Sequence, residues 1–303
     1  MAKNNIIKNI LKRALYPWNT YKVIKLQRNR KRGNRHQDDA QLKLYSKILK
    51  GDFLHYGYFD NAKIEAEDIS LNMIYNAQKR YAEKLVELIT DKSSPALDVG
   101  CGMGGLLKLL NENNINAIGL TPDNTQIKHI INTYPNKVLH CRFEDIKADD
   151  YIQHFGTVIT SESLQYLQLD KALPIIDKIM KPGGTWVACD YFRLGKAHEK
   201  SGHNWESFNT LLTKHGFKMT HEENITPHIL PTIAYIYMWA TQIGMPVKEF
   251  LIEKIKVKNP GLYYIIEKSL PEIDGKLDKN INIINPTLFA LEKKYVLMKI
   301  ERN

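Results

Sequence analysis

The sequence predicts an α/β fold: a mostly parallel sheet with a helical cover before it and a helical insertion ahead of its last strand. Short apolar runs bounded by glycine alternate with helical periods between residues 96 and 190. A carboxylate and a glycine cluster, Asp98-Val99-Gly100-Cys101-Gly102-Met103-Gly104-Gly105, stand where the first run must turn into a helix. A long helical stretch then separates this alternation from a final apolar run, Lys294 to Ile300.

Taken in order, residues 1–35 read as a basic amphipathic arm. Ile6, Ile7, Ile10, Leu11, Ala14 and Leu15 recur at helical spacing up to Pro17, and the arm holds eleven Lys and Arg and no acid. The chain's formal charge of +10 is therefore local, because residues 36–303 sum to about −1. Such an arm suits peripheral contact with an anionic membrane surface, or is a solvated tail. Nucleic acid is the least favoured partner, since the body lacks a basic stripe. Residues 36–90 read as a helical cover with an aromatic break at Phe53 to Phe59 and a helix over Ile69 to Ile89.

Residues 91–227 and 290–303 read as the α/β core. Strands are expected at Ala96 to Val99, Ala117 to Leu120, Lys137 to Cys141, Thr157 to Thr160, Thr185 to Asp190, Phe217 to Glu222 and Lys294 to Ile300. Helices are expected at Leu106 to Leu110, Thr125 to Asn132, Lys171 to Met180 and Trp205 to His215. Residues 228–289 read as a helical substrate lid. The 24 residues between Glu223 and Lys248 carry no formal charge, but Pro227, Pro231 and Pro246 and several polar side chains break the run, so a membrane span is rejected. Tyr235, Tyr237, Met238 and Trp239 suit a pocket wall.

The 43% hydrophobic and 25% charged residues match ordinary globular averages and exclude wholesale disorder, a collagen-like repeat and a polytopic membrane protein. Cys101, Cys141 and Cys189 lie far apart without CxxC spacing, which fits a reducing compartment. The first thirty residues lack an uninterrupted apolar core and a small-residue cleavage site, so a cytoplasmic location, with the membrane surface as an option, is expected. The ten histidines form no convincing ligand set; the best groupings are His198, Glu199 and His203, or His221 and Glu222, and no metal is expected. Oligomeric state is not legible.

The ordered set of glycine turn, second strand Gly119-Leu120-Thr121 with Gln126, aromatic-acidic turn Arg142-Phe143-Glu144-Asp145 and Pro182-Gly183-Gly184 turn resembles the class I S-adenosylmethionine-dependent methyltransferases. It covers about Leu54 to Asp190 and the last strand. His55-Tyr56-Gly57-Tyr58-Phe59 and the second-strand motif are similar to cyclopropane and mycolic acid synthases. Ser161-Glu162-Ser163 and Ile225-Thr226-Pro227-His228 are similar to tocopherol and sterol C-methyltransferases.

The resemblance implies a Rossmann-like seven-stranded sheet and S-adenosyl-L-methionine as cofactor. It places Gly100, Gly102 and Gly104 under the methionine portion, Asp98 at the loop or the amino group, Leu120, Thr121 and Gln126 at the ribose, Phe143 and Glu144 at adenine, and Tyr58 over the cofactor. Phe143 can equally be plain core. Methyl transfer needs an in-line acceptor, exclusion of water and a base when the acceptor carries a proton. Glu162, Tyr166, Tyr56 and His55 are the candidate catalytic residues. Glu162 can instead be a helix N-terminal carboxylate, the aromatic cluster a packed staple, and His228, a further candidate base, a cap. Tyr56 and Gln165 replace the cysteine and glutamate of the cyclopropane synthases' bicarbonate pocket, which points to simple methyl transfer. Tyr166 replaces the histidine that follows the glutamate in the other branch.

The expected activity is methylation of a small, largely apolar metabolite that is lipid-like, prenylated or polyketide-like. N-methylation of an amine or phosphobase is the alternative. An RNA methyltransferase and a non-catalytic cofactor-binding module stay open behind it.

Overall fold

The computed structural model describes residues 18, 19, 21, 22, 24, 25, 51–195 and 201–303. Nearly all of the expected arm, the first residues of the expected cover, and His198 and Glu199 lie outside the described residues.

Eight strands form one sheet: β1 (Ala96–Val99), β2 (Ala117–Leu120), β3 (Val138–Leu139), β4 (Phe155–Ser161), β5 (Met180–Arg193), β6 (His203–Asn204), β7 (Phe217–Asn224) and β8 (Lys293–Arg302). Their order is β3-β2-β1-β4-β5-β8-β7, with the two-residue β6 beside β5. Neighbours from β3 to β5 run parallel, whereas β8 is antiparallel to both β5 and β7. The sheet is thus the expected mostly parallel one, with β6 as an added short strand. Every residue of β1 and β2 is buried, as strands covered on both faces require. Alternation then divides the core. Leu97, Val99, Val158 and Trp186 enter one apolar cluster, while Ala96, Ile159, Val187 and Cys189 enter the other.

Among the described residues from 51 onward the α-helices are α1 (Leu71–Glu87), α2 (Gly105–Glu112), α3 (Asn124–Thr133), α4 (Leu169–Ile179), α5 (Trp205–Lys214), α6 (Thr226–Met238), α7 (Met245–Lys258), α8 (Pro260–Ile266), α9 (Leu270–Ile283) and α10 (Pro286–Glu292). Helix α1 lays Ala82, Leu85 and Val86 on the same cluster as α2. In the insertion, α6 buries Ile229 and Ile233 and α10 buries Phe289, but α7, α8 and α9 bury no residue. Among the described residues no helix is long and apolar enough to cross a membrane.

Three elements differ from expectation. β3 stops at Leu139 rather than Cys141, because after Thr121 N–H bonds to the Leu139 carbonyl the next donor in register, the Asp123 N–H, is taken by Thr121 Oγ1 at 3.2 Å. β5 extends to Arg193 because it pairs with β8 at nine positions, from Thr185 against Glu301 to Arg193 against Lys293. The insertion's first helix starts at Thr226, where Asn224 Oδ1 accepts the Thr226 N–H and hydroxyl at 3.1 and 2.6 Å.

The strand order reverses between β1 and β4, and the loops after β1, β2, β4 and β5 leave the same edge of the sheet. That edge is where an open α/β sheet presents ligand-binding groups.

Candidate functional site

A cavity of about 1090 Å³ opens along that edge. Its floor follows from β1. Asp98 is buried, and burial raises its carboxyl to about 7. Its Oδ2 has no hydrogen-bond partner. An orphaned carboxylate oxygen beside a cavity calls for a cationic or N–H-bearing ligand. The chain then turns at Gly100, whose φ is +77° and where an added Cβ would stand 2.5 Å from Ser163 Cβ. Ser163 in turn donates to the Val99 carbonyl at 2.5 Å, locking the β1 and β4 turns together. Gly102, with φ +55°, has 3.5 Å from its would-be Cβ to Leu54, so only its backbone conformation and the cavity itself demand glycine there.

The β2 end supplies the next wall. Thr121 donates to Gln126 Oε1 at 2.5 Å. Asp123 caps α3 by accepting the N–H groups of Thr125 and Gln126 at 2.7 and 2.9 Å. Its other oxygen, Oδ2, is buried without a partner, and the residue lines the cavity with Leu120, Thr121 and Gln126. Phe143 is buried and also contributes to both the cavity wall and the core beneath. Glu144 accepts the Gln168 N–H at 2.8 Å and pairs with Arg142 at 3.3 Å, so it ties this wall to the start of α4.

Residues 51–59 form a strap over the site. Asp52 accepts from the Tyr134 hydroxyl and lies 3.0 Å from His129 Nε2, fastening the strap to α3. Gln78 donates to the His55 carbonyl at 2.6 Å. His55 stacks on Tyr81 at 4.2 Å and its Nδ1–H donates to the Tyr56 carbonyl at 2.8 Å. Burial lowers it to about 4, so the ring is neutral at pH 7 and its unpartnered Nε2 is an acceptor. At Gly57 the strap presses on α1, with a would-be Cβ 2.6 Å from Ala77 Cβ. There Thr232 of α6 both accepts the Gly57 N–H at 3.1 Å and donates to the Gly57 carbonyl at 3.2 Å.

Glu162 closes the far side. It ends β4 in a left-handed conformation, φ +49°, unusual for a residue other than glycine. Oε1 accepts the Tyr56 N–H at 2.8 Å and the Tyr295 hydroxyl at 2.5 Å. Burial raises this carboxyl to about 7, against the opposing pull of those two bonds. Tyr191 and Gln165, which are hydrogen-bonded to each other, share the wall. The outer wall is apolar: Leu71 and Ile74 from α1, Ile236 and Tyr235 from α6, Trp239 from a π-helical turn, and Ile284.

The expected residues Asp98, Gly100, Gly102, Leu120, Thr121, Gln126, Phe143, Glu144, Glu162, Tyr56, His55 and Tyr166 all line this one cavity, Tyr166 at its exposed rim. Two do not. Tyr58 is held off it: its N–H bonds the Ala77 carbonyl at 2.8 Å and its ring stacks on His228 at 4.4 Å and 6°. Gly104 is covered by the Tyr134 ring, 2.8 Å from its would-be Cβ. His228 is a pin, its Nδ1–H bound to the Phe59 carbonyl at 2.7 Å. Of the expected wall residues in the insertion, Tyr235 and Trp239 line the cavity, whereas Tyr237 and Met238 do not. Sequence reading missed Tyr295 and Tyr81, which look like plain core tyrosines, and Asp52, His129 and Tyr134, whose pairing spans about eighty positions. Among the described residues no group of three acid, histidine or cysteine side chains is placed to hold a metal.

Residues 73–225 match the methyltransferase domain family. No curated protein matches the sequence. Among solved structures, the geranyl diphosphate C-methyltransferase of Streptomyces coelicolor A3(2), in complex with Mg2+, geranyl diphosphate and S-adenosyl-L-homocysteine, is 14% identical, with 88% of this chain and 94% of that chain covered and a TM-score of 0.62. The (4+2)-cyclase SpnF is 14% identical over 86% of this chain and 90% of that one, with a TM-score of 0.61. The O-MT segment of StiE is 15% identical over 83% and 87%, with a TM-score of 0.57. At such identities the likeness is one of fold.

Proposed function

This chain belongs to the methyltransferase domain family, and we propose that it moves the methyl group of S-adenosyl-L-methionine to a small, largely apolar metabolite, with Glu162 as the proton acceptor. The observation that carries this is the one cavity that holds both the glycine loop and Glu162, with the apolar side chains of Leu71, Ile74, Ile236 and Trp239 in the same wall. Its volume, about 1090 Å³, exceeds the ~300–1,000 Å³ of ordinary ligand pockets and leaves room for two small molecules side by side.

S-adenosylmethionine supplies a methyl group on a cationic sulfur, which keeps the bonding electrons when the methyl leaves. The residues present fit it. Orphaned Asp98 Oδ2 would accept from its ammonium group, glycines at 100 and 102 leave the loop backbone approachable, Thr121, Gln126 and Asp123 would offer partners for ribose hydroxyls, and Phe143 with Glu144 would offer a face and an acceptor for adenine. The strap and α6 exclude water from the reacting end. Glu162, with its carboxyl near 7, is partly ionised at neutral pH and can take the proton a hydroxyl, enol or amine acceptor gives up.

The one described Lys or Arg in the cavity lining is Arg142, which pairs with Glu144 beside Phe143. The geranyl diphosphate C-methyltransferase and the (4+2)-cyclase share this fold with different chemistries, so the acceptor is argued from the site. We favour a neutral apolar acceptor, in keeping with the tocopherol and sterol branch resemblance at Glu162. An amine is the second reading, supported by a carboxylate among Tyr56, Tyr191 and Tyr235. Methyl-labelled S-adenosylmethionine incubated with separate panels of prenylated phenols, sterol-like alcohols and apolar amines tests it. Label in the first two supports the neutral acceptor, label confined to amines supports the second reading, and label in none with a bound cofactor overturns transfer. We further propose that residues 1–35 bring the enzyme to anionic membrane surfaces; loss of sedimentation with phosphatidylglycerol vesicles on their removal is the expected result.

A further inference from the structure

Four elements converge on the Glu162 carboxyl in a way its role as a proton acceptor does not by itself require. A carboxylate oxygen has two in-plane lone pairs. Both at Oε1 are taken, one by the Tyr56 N–H and one by the Tyr295 hydroxyl. Among the described residues Oε2 accepts no hydrogen bond, and it is not among the buried unpartnered atoms. Putting the proton on Oε1 would leave a buried N–H or O–H without an acceptor, which the structure penalises.

We propose that Tyr295 is a positioning residue that confines the Glu162 proton to Oε2, the oxygen left open to a ligand.

Tyr295 suits this part because the Glu162 oxygen, at 2.5 Å, is a nearer and stronger acceptor than the Tyr81 hydroxyl oxygen. The Tyr81 hydroxyl lies 3.3 Å away but spends its own single proton on the Cys189 carbonyl at 3.2 Å. Tyr81 therefore braces Tyr295, ring edge to ring face at 6.2 Å and 84°, and both rings are buried and fixed. The arrangement is built from distant parts of the chain: the strap gives the Tyr56 N–H, β8 the Tyr295 phenol, α1 the Tyr81 brace, and the left-handed turn at Glu162 aims the carboxyl at them. The titratable groups facing Glu162 are His55 and Tyr56 from the strap, Tyr81 from α1, Cys189 and Asp190 from β5 and Tyr295 from β8. Burial raises Tyr81, Cys189 and Tyr295 and lowers His55, so those groups stay uncharged at pH 7, and Asp190, raised to about 8 by burial, is the one that titrates beside Glu162 near neutrality.

The inference rests on the reading of Glu162 as the proton acceptor, and a direct titration separates the two. The probe is the side-chain carboxyl carbon of 13C-glutamate in the full chain, with the Glu162 signal assigned by its loss in Glu162→Gln. In wild type it should titrate near neutrality. Tyr295→Phe removes a bond that favours the ionised form, so its midpoint should rise by about one pH unit. Tyr81→Phe should leave it within a few tenths of a unit, since that phenol gives no proton to Glu162. S-adenosylhomocysteine affinity, read by calorimetry, should be equal in all three. If Phe at 295 impairs folding, 3,5-difluorotyrosine at that position, nearly isosteric and a stronger donor, should move the midpoint down. A midpoint unmoved by either replacement, or moved equally by Tyr81→Phe, overturns the proposal. A midpoint that moves as expected while Glu162→Gln keeps full methyl transfer leaves the positioning intact and overturns the base.

Discussion

Replacing Asp98 by asparagine should strengthen the cofactor-free fold and weaken cofactor binding. The carboxyl stands at about 7 in the fold against a reference of 3.8, and burial is the cause. That difference of about three units corresponds to ~4 kcal/mol. Because the folded value is raised, Asp98 costs nothing below its unfolded value, and the cost grows as pH rises until it levels off above about 7. Asparagine has no charge to desolvate, but its amide still lacks a partner, which returns ~2 kcal/mol of the gain. The variant should therefore match wild type near pH 5, where only part of the cost has developed. At pH 8 it should be ~2 kcal/mol more stable, a rise of about 3 °C in Tm for a chain of this size. Binding moves the other way. Loss of a charge-assisted bond to an ammonium group, worth ~1.5–3 kcal/mol, should weaken S-adenosylhomocysteine about 10- to 100-fold. Thermal unfolding at the two pH values and calorimetry at pH 8 read both. A variant that is less stable at pH 8 and binds as wild type would refute the assignment of Asp98 to the ligand.

Glu162→Gln should flatten the pH dependence of stability. The Glu162 carboxyl is raised from 4.5 to about 7, so wild type gives up ~3 kcal/mol relative to the variant as pH rises from 4.5 to 8, visible in denaturant melts across that range. Lowering the pH should expose His55 instead: its folded value, lowered from 6.5 to about 4, means stability is lost as pH falls through that window, and a melt at pH 4 should show a loss that His55→Gln lacks. Thr232→Val keeps the shape but strips Gly57 N–H and C=O of their partner, which should cost ~2 kcal/mol and raise amide exchange in the strap while β1 amides stay protected.

The sheet and the glycine-loop wall of the cavity were legible in the sequence because both are local. Apolar runs at strand length, a glycine turn after Asp98 and an aromatic-acidic pair at Phe143 and Glu144 each announce themselves within a few residues. The limits of that reading are also physical. Whether residue 56 or 58 of the strap faces the cavity depends on where Gly57 meets Ala77, a contact no local pattern reveals. β3 looked longer than it is because strand propensity ignores whether the partner has an N–H to offer. Tyr295 and Tyr81 carry no signal at all, since a buried tyrosine reads the same whether its hydroxyl holds the Glu162 carboxylate or a carbonyl. The insertion was recognisable as helical, and its lining residues Thr232, Tyr235, Ile236 and Trp239 follow one α-helical face that leaves Tyr237 and Met238 outside, but which face turns inward is set by distant contacts such as Thr232 with Gly57.

The central claim is that the glycine-loop cavity binds S-adenosylmethionine. Calorimetric titration of S-adenosylhomocysteine into the native chain and into Gly102→Val tests it most directly, because the Gly102 position has room for a Cβ on its Leu54 side while the cavity side is where a ligand must approach. The account predicts one-to-one binding to the native chain and none to a variant that still melts cooperatively. Absence of binding to the native chain, or equal binding to both, would contradict it.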